Sequence, residues 1–360
     1  MGVSFFFTLS GFIMTYNYFD WFQKDTKLVG KFLKARIARI FPMSIFVLLL
    51  STPIIIMQFE SLRPWLEQHS RFEVTPFSTL LSWLASLLLV HNFFIDGQTG
   101  YWVGTTWTLT DELFFYAVFP LFIRYVLSKV KKFKSLLNLA FILVFFQVLF
   151  WGATILYSIH HYDESEFSFF VFHTIYTSPV LRVWEFLLGC LVGWYFLHNF
   201  NTVKAGRLRS YLSSPLFRNL ALAVTIILIL VIIYWPLYGN QNVMGGMIDL
   251  MRYYILVAPL FCLILLITSF GPTFIHFLLD RPFFYLLGEA SFSLYITQSL
   301  SLTLVGYLLP ADRTYWGLIG LAGIILNIWF SVFCFKYIET PARLFIRGSN
   351  PGKVQEALVK

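Results

Sequence analysis

The sequence predicts an all-α fold: a polytopic transmembrane helix bundle of nine or ten spans, with one re-entrant segment between residues 59 and 127. Three observations predict it. Hydrophobic residues make up 58% of the chain and charged ones only 12%, whereas a soluble domain carries about 25% charged residues. Apolar stretches of about 17–25 residues, the length a helix needs to cross the hydrocarbon core, recur from one end to the other. Lys and Arg collect in the short connectors between those stretches, as they do in cytoplasmic loops.

The predicted spans run over 2–19, 40–58, 77–95, 107–127, 135–157, 177–197, 217–237, 251–271, 285–309 and 316–337. Internal Gly and Pro are no objection in lipid, where neighbouring helices satisfy the freed backbone groups. The opening MGVSFFFTLSGFIM has neither a basic n-region nor a cleavage site, so the chain is expected to begin inside a span rather than with a signal peptide. Residues 1–345 are expected to form one membrane-embedded domain and 346–360 a short basic tail.

The basic connectors Lys24 to Arg39, KVKKFK at 129–134, Lys204 to Arg218 and the tail from Arg343 fall on the cytoplasmic side by the positive-inside rule. From 129 onward the alternation is self-consistent and places the C-terminus in the cytoplasm. Upstream, three candidate segments separate two connectors assigned to the same side, which is an odd number. One of the three is therefore expected not to cross, and the Gly-rich stretch DGQTGYWVGTT at 96–106 marks the place. Irregular backbone at membrane depth is tolerated only where protein or a water-filled cavity covers it, so such a piece points to a functional region.

The net charge of +8 is accounted for by topology, not by nucleic acid. Cys190, Cys262 and Cys334 each lie within an apolar run and read as packing residues. No Walker loop, dinucleotide Gly motif or nucleophile elbow is present, which argues against nucleotide-driven pumping.

Ionisable groups inside spans cost about 2.5–3.5 kcal/mol each on the insertion scale, so the few that occur are candidates for function. Asp111 and Glu112, in WTLTDELFFY, head an aromatic-rich span, where a buried carboxylate suits proton transfer with a hydroxyl nucleophile. The alternative is a helix-start acid that complements the macrodipole. Arg36 and Arg39 lie three apart on one helix face with Lys31 and Lys34 nearby. Guanidinium forks suit phosphates such as those of a coenzyme A thioester, and snorkelling to anionic lipid is the competing role. Arg182 and Glu185 are also three apart and fit a structural ion pair. Glu289, near Ser291 and Ser293, fits polar packing and substrate contact equally. Of the histidines, His160 and His161 sit in a polar connector without zinc-motif spacing, while His91 and His173 are better placed for chemistry.

Six motifs resemble, in order, those of the acyltransferase 3 family of integral-membrane O-acyltransferases, which includes O-antigen and exopolysaccharide O-acetylases. They are GVSFFFTLSGFIM at 2–14, RIARIFP at 36–42, WTLTDELFFYAVFPL at 107–121, RVWEFLLGCLVG at 182–193, LLGEASFSLYITQS at 286–299 and YIETPAR at 337–343. Together they cover nearly the whole chain. The resemblance implies transfer of an acyl group, in the commonest case acetyl, from cytosolic acyl-CoA to a hydroxyl of a carbohydrate or glycolipid in the cell envelope, by a protein of the bacterial inner membrane. It implies Glu112, with Asp111 beside it, as the catalytic acid. Donor or substrate binding falls to Arg36, Arg39, Lys34, Arg182, Glu185 and Tyr295. No permanently bound cofactor and no metal are expected; acyl-CoA is the co-substrate, and glycan-assembly proteins are candidate partners.

The sequence departs from the family pattern at three places. Ser4 stands where an acid is usual, and Gln298 stands where a Trp-His pair often follows the Ser-Leu-Tyr motif. Family members also begin with a further span carrying a His central to transfer, and the expectation here is a start placed too late. The rival readings are an inactive truncated homologue, a transporter of a glycan or small anion, and a non-catalytic subunit of a glycan-assembly complex.

Overall fold

The computed structural model describes residues 2–24, 28–69, 73–93, 102–161, 176–199, 211–235, 243–308 and 316–348. The Gly-rich residues 96–101, His173 and the tail from 349 lie outside them. The described residues are helical and contain no strand. The helices are α1 (Gly2–Lys24), α2 (Leu28–Met57), α3 (Phe59–His69), α4 (Pro76–Leu87), α5 (Trp107–Tyr125), α6 (Phe133–His161) and α7 (Pro179–Asn199). After these come α8 (Pro215–Tyr234), α9 (Val243–Ser269), α10 (Phe274–Leu279), α11 (Pro282–Glu289), α12 (Ser291–Leu308), α13 (Trp316–Cys334) and α14 (Thr340–Arg347).

Among the described residues, six runs are long and apolar enough to cross a bilayer: Leu28–Met57, Phe133–Tyr157, Pro179–Asn199, Pro215–Tyr234, Met251–Ser269 and Trp316–Arg347. The expected nine or ten spans are not matched by this number. Two of the expected spans are also interrupted. At 77–95 the helix is α4, only 12 residues long, or about 18 Å at 1.5 Å per residue, against a hydrocarbon core of about 30 Å. It stops where Leu89 adopts φ 55°, a left-handed conformation that costs an L-residue about 1–2 kcal/mol, and a 3₁₀ turn at His91–Phe93 follows. The second stretch, 285–309, breaks at Ala290, between α11 and α12.

Alongside an aromatic and aliphatic core, polar groups are buried and many large apolar side chains are exposed. Ser4, Thr8, Asp111, Gln147, Arg182 and Glu185 are buried, while Phe141, Leu220, Ile227, Leu318 and Trp329 are exposed. That distribution is stable where the surrounding solvent is hydrocarbon and the polar groups satisfy one another inside.

The chain divides into two compact units, Met1–Leu28 with Phe114–Leu278, and Val29–Leu113 with Leu279–Lys360. In the first, α1 and α7 pack backbone to backbone. A Cβ on Gly11 would collide with the Phe186 carbonyl, one on Gly189 with the Thr8 carbonyl, and one on Gly193 would stand 2.8 Å from the Phe12 carbonyl. Small residues permit this approach, which drives helix association in lipid where no hydrophobic force operates between helices. Phe115 fills the adjoining space, edge-on to Phe7 at 4.9 Å and stacked on Phe186 at 5.0 Å. At the foot of α8, Arg218 donates to the carbonyls of Leu212 (2.7 Å) and Pro272 (3.2 Å), which ties that end of the unit together.

In the second unit, α12 and α13 are joined by Asn327. Its Oδ1 accepts hydrogen bonds from Thr297 (2.9 Å) and Ser301 (2.8 Å). Helix α4 starts with a capping box between Thr75 and Ser78, and the Trp83 indole on it donates to Thr52 of α2 at 2.9 Å. After α13 the chain makes a π-helical turn at Phe335–Glu339 before α14. Such turns are rare and concentrate at functional sites.

Candidate active site

Polar side chains converge around the head of α5 within the second unit. The left-handed Leu89 turns the chain so that His91 and Asn92 meet residues 106–111. Asn92 Nδ2 donates to the Trp107 carbonyl at 2.7 Å and to Asp111 Oδ1 at 3.1 Å. His91 Nε2 lies 3.5 Å from Thr106 Oγ1, and Thr106 also donates to the Val103 carbonyl at 2.8 Å. Thr105 donates to the Ile296 carbonyl of α12 at 3.3 Å and is 3.4 Å from Ser299 Oγ. Asp111 is 0% exposed and Glu112 6%, so both sequence-predicted acids are buried. Buried position and a side-chain donor from another segment set Asp111 apart from a helix-start acid facing water.

The basic face of α2 belongs to the same unit. Arg36 is partly buried, with its guanidinium 5.8 Å from the Phe32 ring centroid, and Lys34 is exposed. Arg39 acts electrostatically on Glu339, as does Arg343. Glu339 is buried at the end of the π-helical turn and accepts a hydrogen bond from Ser293 of α12 at 2.7 Å. Arg343 follows Glu339 by one helical turn, so the YIETPAR motif presents a carboxylate and a guanidinium on one face. Tyr295 is half-buried on α12, two residues from Ser293.

Arg182 and Glu185 belong to the first unit. They pair at 3.1 Å with both side chains 1% exposed, and Arg182 donates to Ser4 at 3.2 Å. Three rings enclose the guanidinium, with centroids 4.1 Å (Tyr254), 5.4 Å (Phe7) and 5.6 Å (Tyr176) away. Ser4, the departure from the family's acid, thus serves as a neutral partner of a guanidinium whose counter-charge is Glu185. Glu289 is exposed, and the Tyr285 hydroxyl donates to it at 3.4 Å. Among the described residues no group of three or more metal-ligating side chains occurs.

Asn92, Thr106 and Glu339 join these clusters without having been singled out from the sequence, and Ser293, expected beside Glu289, bonds to Glu339 instead. Glu339 stands inside a quoted motif, which is its only signal. A family model described as an acyltransferase domain matches residues 1–336. No curated protein and no solved structure matches the chain.

Proposed function

Because the chain belongs to the acyltransferase 3 family, whose activity is acyl transfer, we propose that it moves an acyl group, acetyl in the simplest case, from acyl-CoA to a hydroxyl of a cell-envelope carbohydrate. The observation that carries this reading is the presence, within one unit, of both a buried pair of acids at the head of α5 and the basic face of α2. In this reading Arg36 and Arg39, with Lys34, hold the phosphates of the donor at the cytoplasmic face of a bacterial inner membrane, and the C-terminus lies on that same side. Tyr295 of the second unit and, separately, the Arg182–Glu185 pair of the first are assigned to substrate binding. Helix α4 with its 3₁₀ turn is the re-entrant piece, and it delivers Asn92 to Asp111.

The chemistry balances without a redox partner. The sugar hydroxyl oxygen attacks the thioester carbonyl, its proton passes to Glu112, the new C–O bond forms, and the C–S bond breaks. The released thiolate then takes up the proton. Asp111, oriented by Asn92, fixes the geometry of the acid pair. The test is acyl transfer from radiolabelled acetyl-CoA to envelope glycan in reconstituted vesicles. Glu112→Gln and Arg39→Ala are each expected to abolish labelled product at equal expression, and wild-type labelling by either variant would remove that residue from the site.

A further inference from the structure

A cleft of about 610 Å³ opens in the second unit between the end of α2, α3 and α4. It is separate from the acid cluster and from the basic face. Trp83 and Trp102 line it, with Thr52, Thr75, Thr79 and Arg63. Both indoles are pinned, Trp83 by Thr52 and Trp102 by Ser82, each at 2.9 Å. Their N–H groups are thereby satisfied inside the protein, and the rings are fixed as apolar walls. Arg63, about half exposed, is ion paired with Glu67 at 2.8 Å.

This combination fits one class of ligand. A pyranose ring carries C–H groups on its faces and hydroxyls round its edge, so it is held by rigid aromatic walls together with a few hydroxyl and guanidinium groups. A predominantly apolar concavity of this size with few polar groups is the usual form of a small-molecule site. Thr52 and Thr75 already use their hydroxyls on Leu48, Trp83 and Ser78, so the polar edge offered to a ligand is Thr79 with the half-exposed guanidinium of Arg63.

Position supports the assignment. Thr52 stands 13 residues after Arg39 on α2, about 20 Å along the axis, so the cleft is at the opposite end of the helix from the basic face. Trp102 stands five residues before the head of α5, so the wall of the cleft and the segment that carries Asp111 and Glu112 are close in the chain. We propose that this cleft binds the carbohydrate acceptor on the extracytoplasmic side, one sugar ring resting on Trp83. The proposal builds on the acyltransferase reading and adds to it where the acceptor sits and what recognises it.

The test is saturation-transfer NMR on the full chain in detergent micelles, with methyl glycosides of glucose, galactose, mannose, rhamnose and N-acetylglucosamine as probes. At least one glycoside is expected to give a signal. That signal should fall at least five-fold in Trp83→Ala and in Thr79→Trp, which fills the cleft, and persist in Trp83→Phe, with unchanged thermal unfolding certifying the fold. Absence of signal from every glycoside, or a signal that Trp83→Ala and Thr79→Trp leave within two-fold, overturns the proposal. Loss of the signal when a phospholipid is titrated in assigns the cleft to lipid and also overturns it. The two readings fail separately. Glycoside binding without any acyl transfer refutes the enzyme and leaves the cleft, whereas acyl transfer with an acceptor KM unmoved by Trp83→Ala refutes the cleft and leaves the enzyme.

Discussion

Removing one member of the Arg182–Glu185 pair should be among the most damaging substitutions in the protein, while removing both should be mild. The two charges are 3.1 Å apart and 1% exposed. At an effective dielectric of 20 their attraction is about 5 kcal/mol, and it offsets the desolvation that each ion suffers alone. Glu185→Gln leaves a buried guanidinium without its carboxylate, and breaking a buried pair in this way costs about 3–5 kcal/mol. Arg182→Met leaves a buried carboxylate and should cost the same. The double variant Arg182→Met, Glu185→Leu replaces both with apolar groups of similar size, a change that is often neutral or stabilising. Its expected loss is under about 2 kcal/mol, the remainder being the cation–π contribution of Tyr254, about 2 kcal/mol when desolvated. The assay is equilibrium unfolding of the purified protein in micelles for all four members of the cycle. Additive losses, with the double variant as damaged as the sum of the singles, would refute the view that each charge chiefly offsets the burial of the other.

Two further outcomes follow from geometry. Gly189→Ala drives a Cβ into the backbone of Thr8, so α1 and α7 must separate. A loss of about 1–3 kcal/mol is expected, read as a lower thermal midpoint, whereas Gly152→Ala on α6, with nothing within 4 Å, should be neutral or slightly stabilising. Asn92→Ala deletes the donor to Asp111. Loss of a hydrogen bond to a charged group is worth about 1.5–3 kcal/mol, so kcat for acyl transfer should fall roughly ten- to hundred-fold with donor KM unchanged. A fall in stability with no change in kcat would make Asn92 merely structural.

Much of the fold was legible because lipid imposes a simple rule. A run such as 217–237 must be helical and apolar throughout, and α8 is found at Pro215–Tyr234. Local pairs were legible for a similar reason, since residues three apart on a helix meet whatever the tertiary structure, as Arg182 and Glu185 do. The early stop of α4 was not legible. A leucine gives no signal for a left-handed conformation, which sequence reading assigns to Gly or Asn, so Leu89 hid the end of the helix and the turn that carries His91 and Asn92. The break at Ala290 was equally silent, as Gly288 two residues earlier is itself still within α11. Long-range partners leave no periodic trace: Asn92 reaches Asp111 across 19 residues and Ser293 reaches Glu339 across 46. The departure of a quoted motif into a π-helical turn is visible only in the backbone.

The length of α2 ties the protein to the thickness of its host bilayer. Its 30 residues extend about 45 Å, some 15 Å more than a hydrocarbon core of about 30 Å. Lys31, Lys34, Arg36 and Arg39 occupy the surplus at its first end. A helix with this mismatch tilts or protrudes, and either response sets how far its guanidinium groups stand from the plane of the phosphates. A thicker membrane would draw those cations inward and a thinner one would push them out, so the composition of the surrounding lipid is itself a variable in how α2 meets an anionic ligand arriving from water.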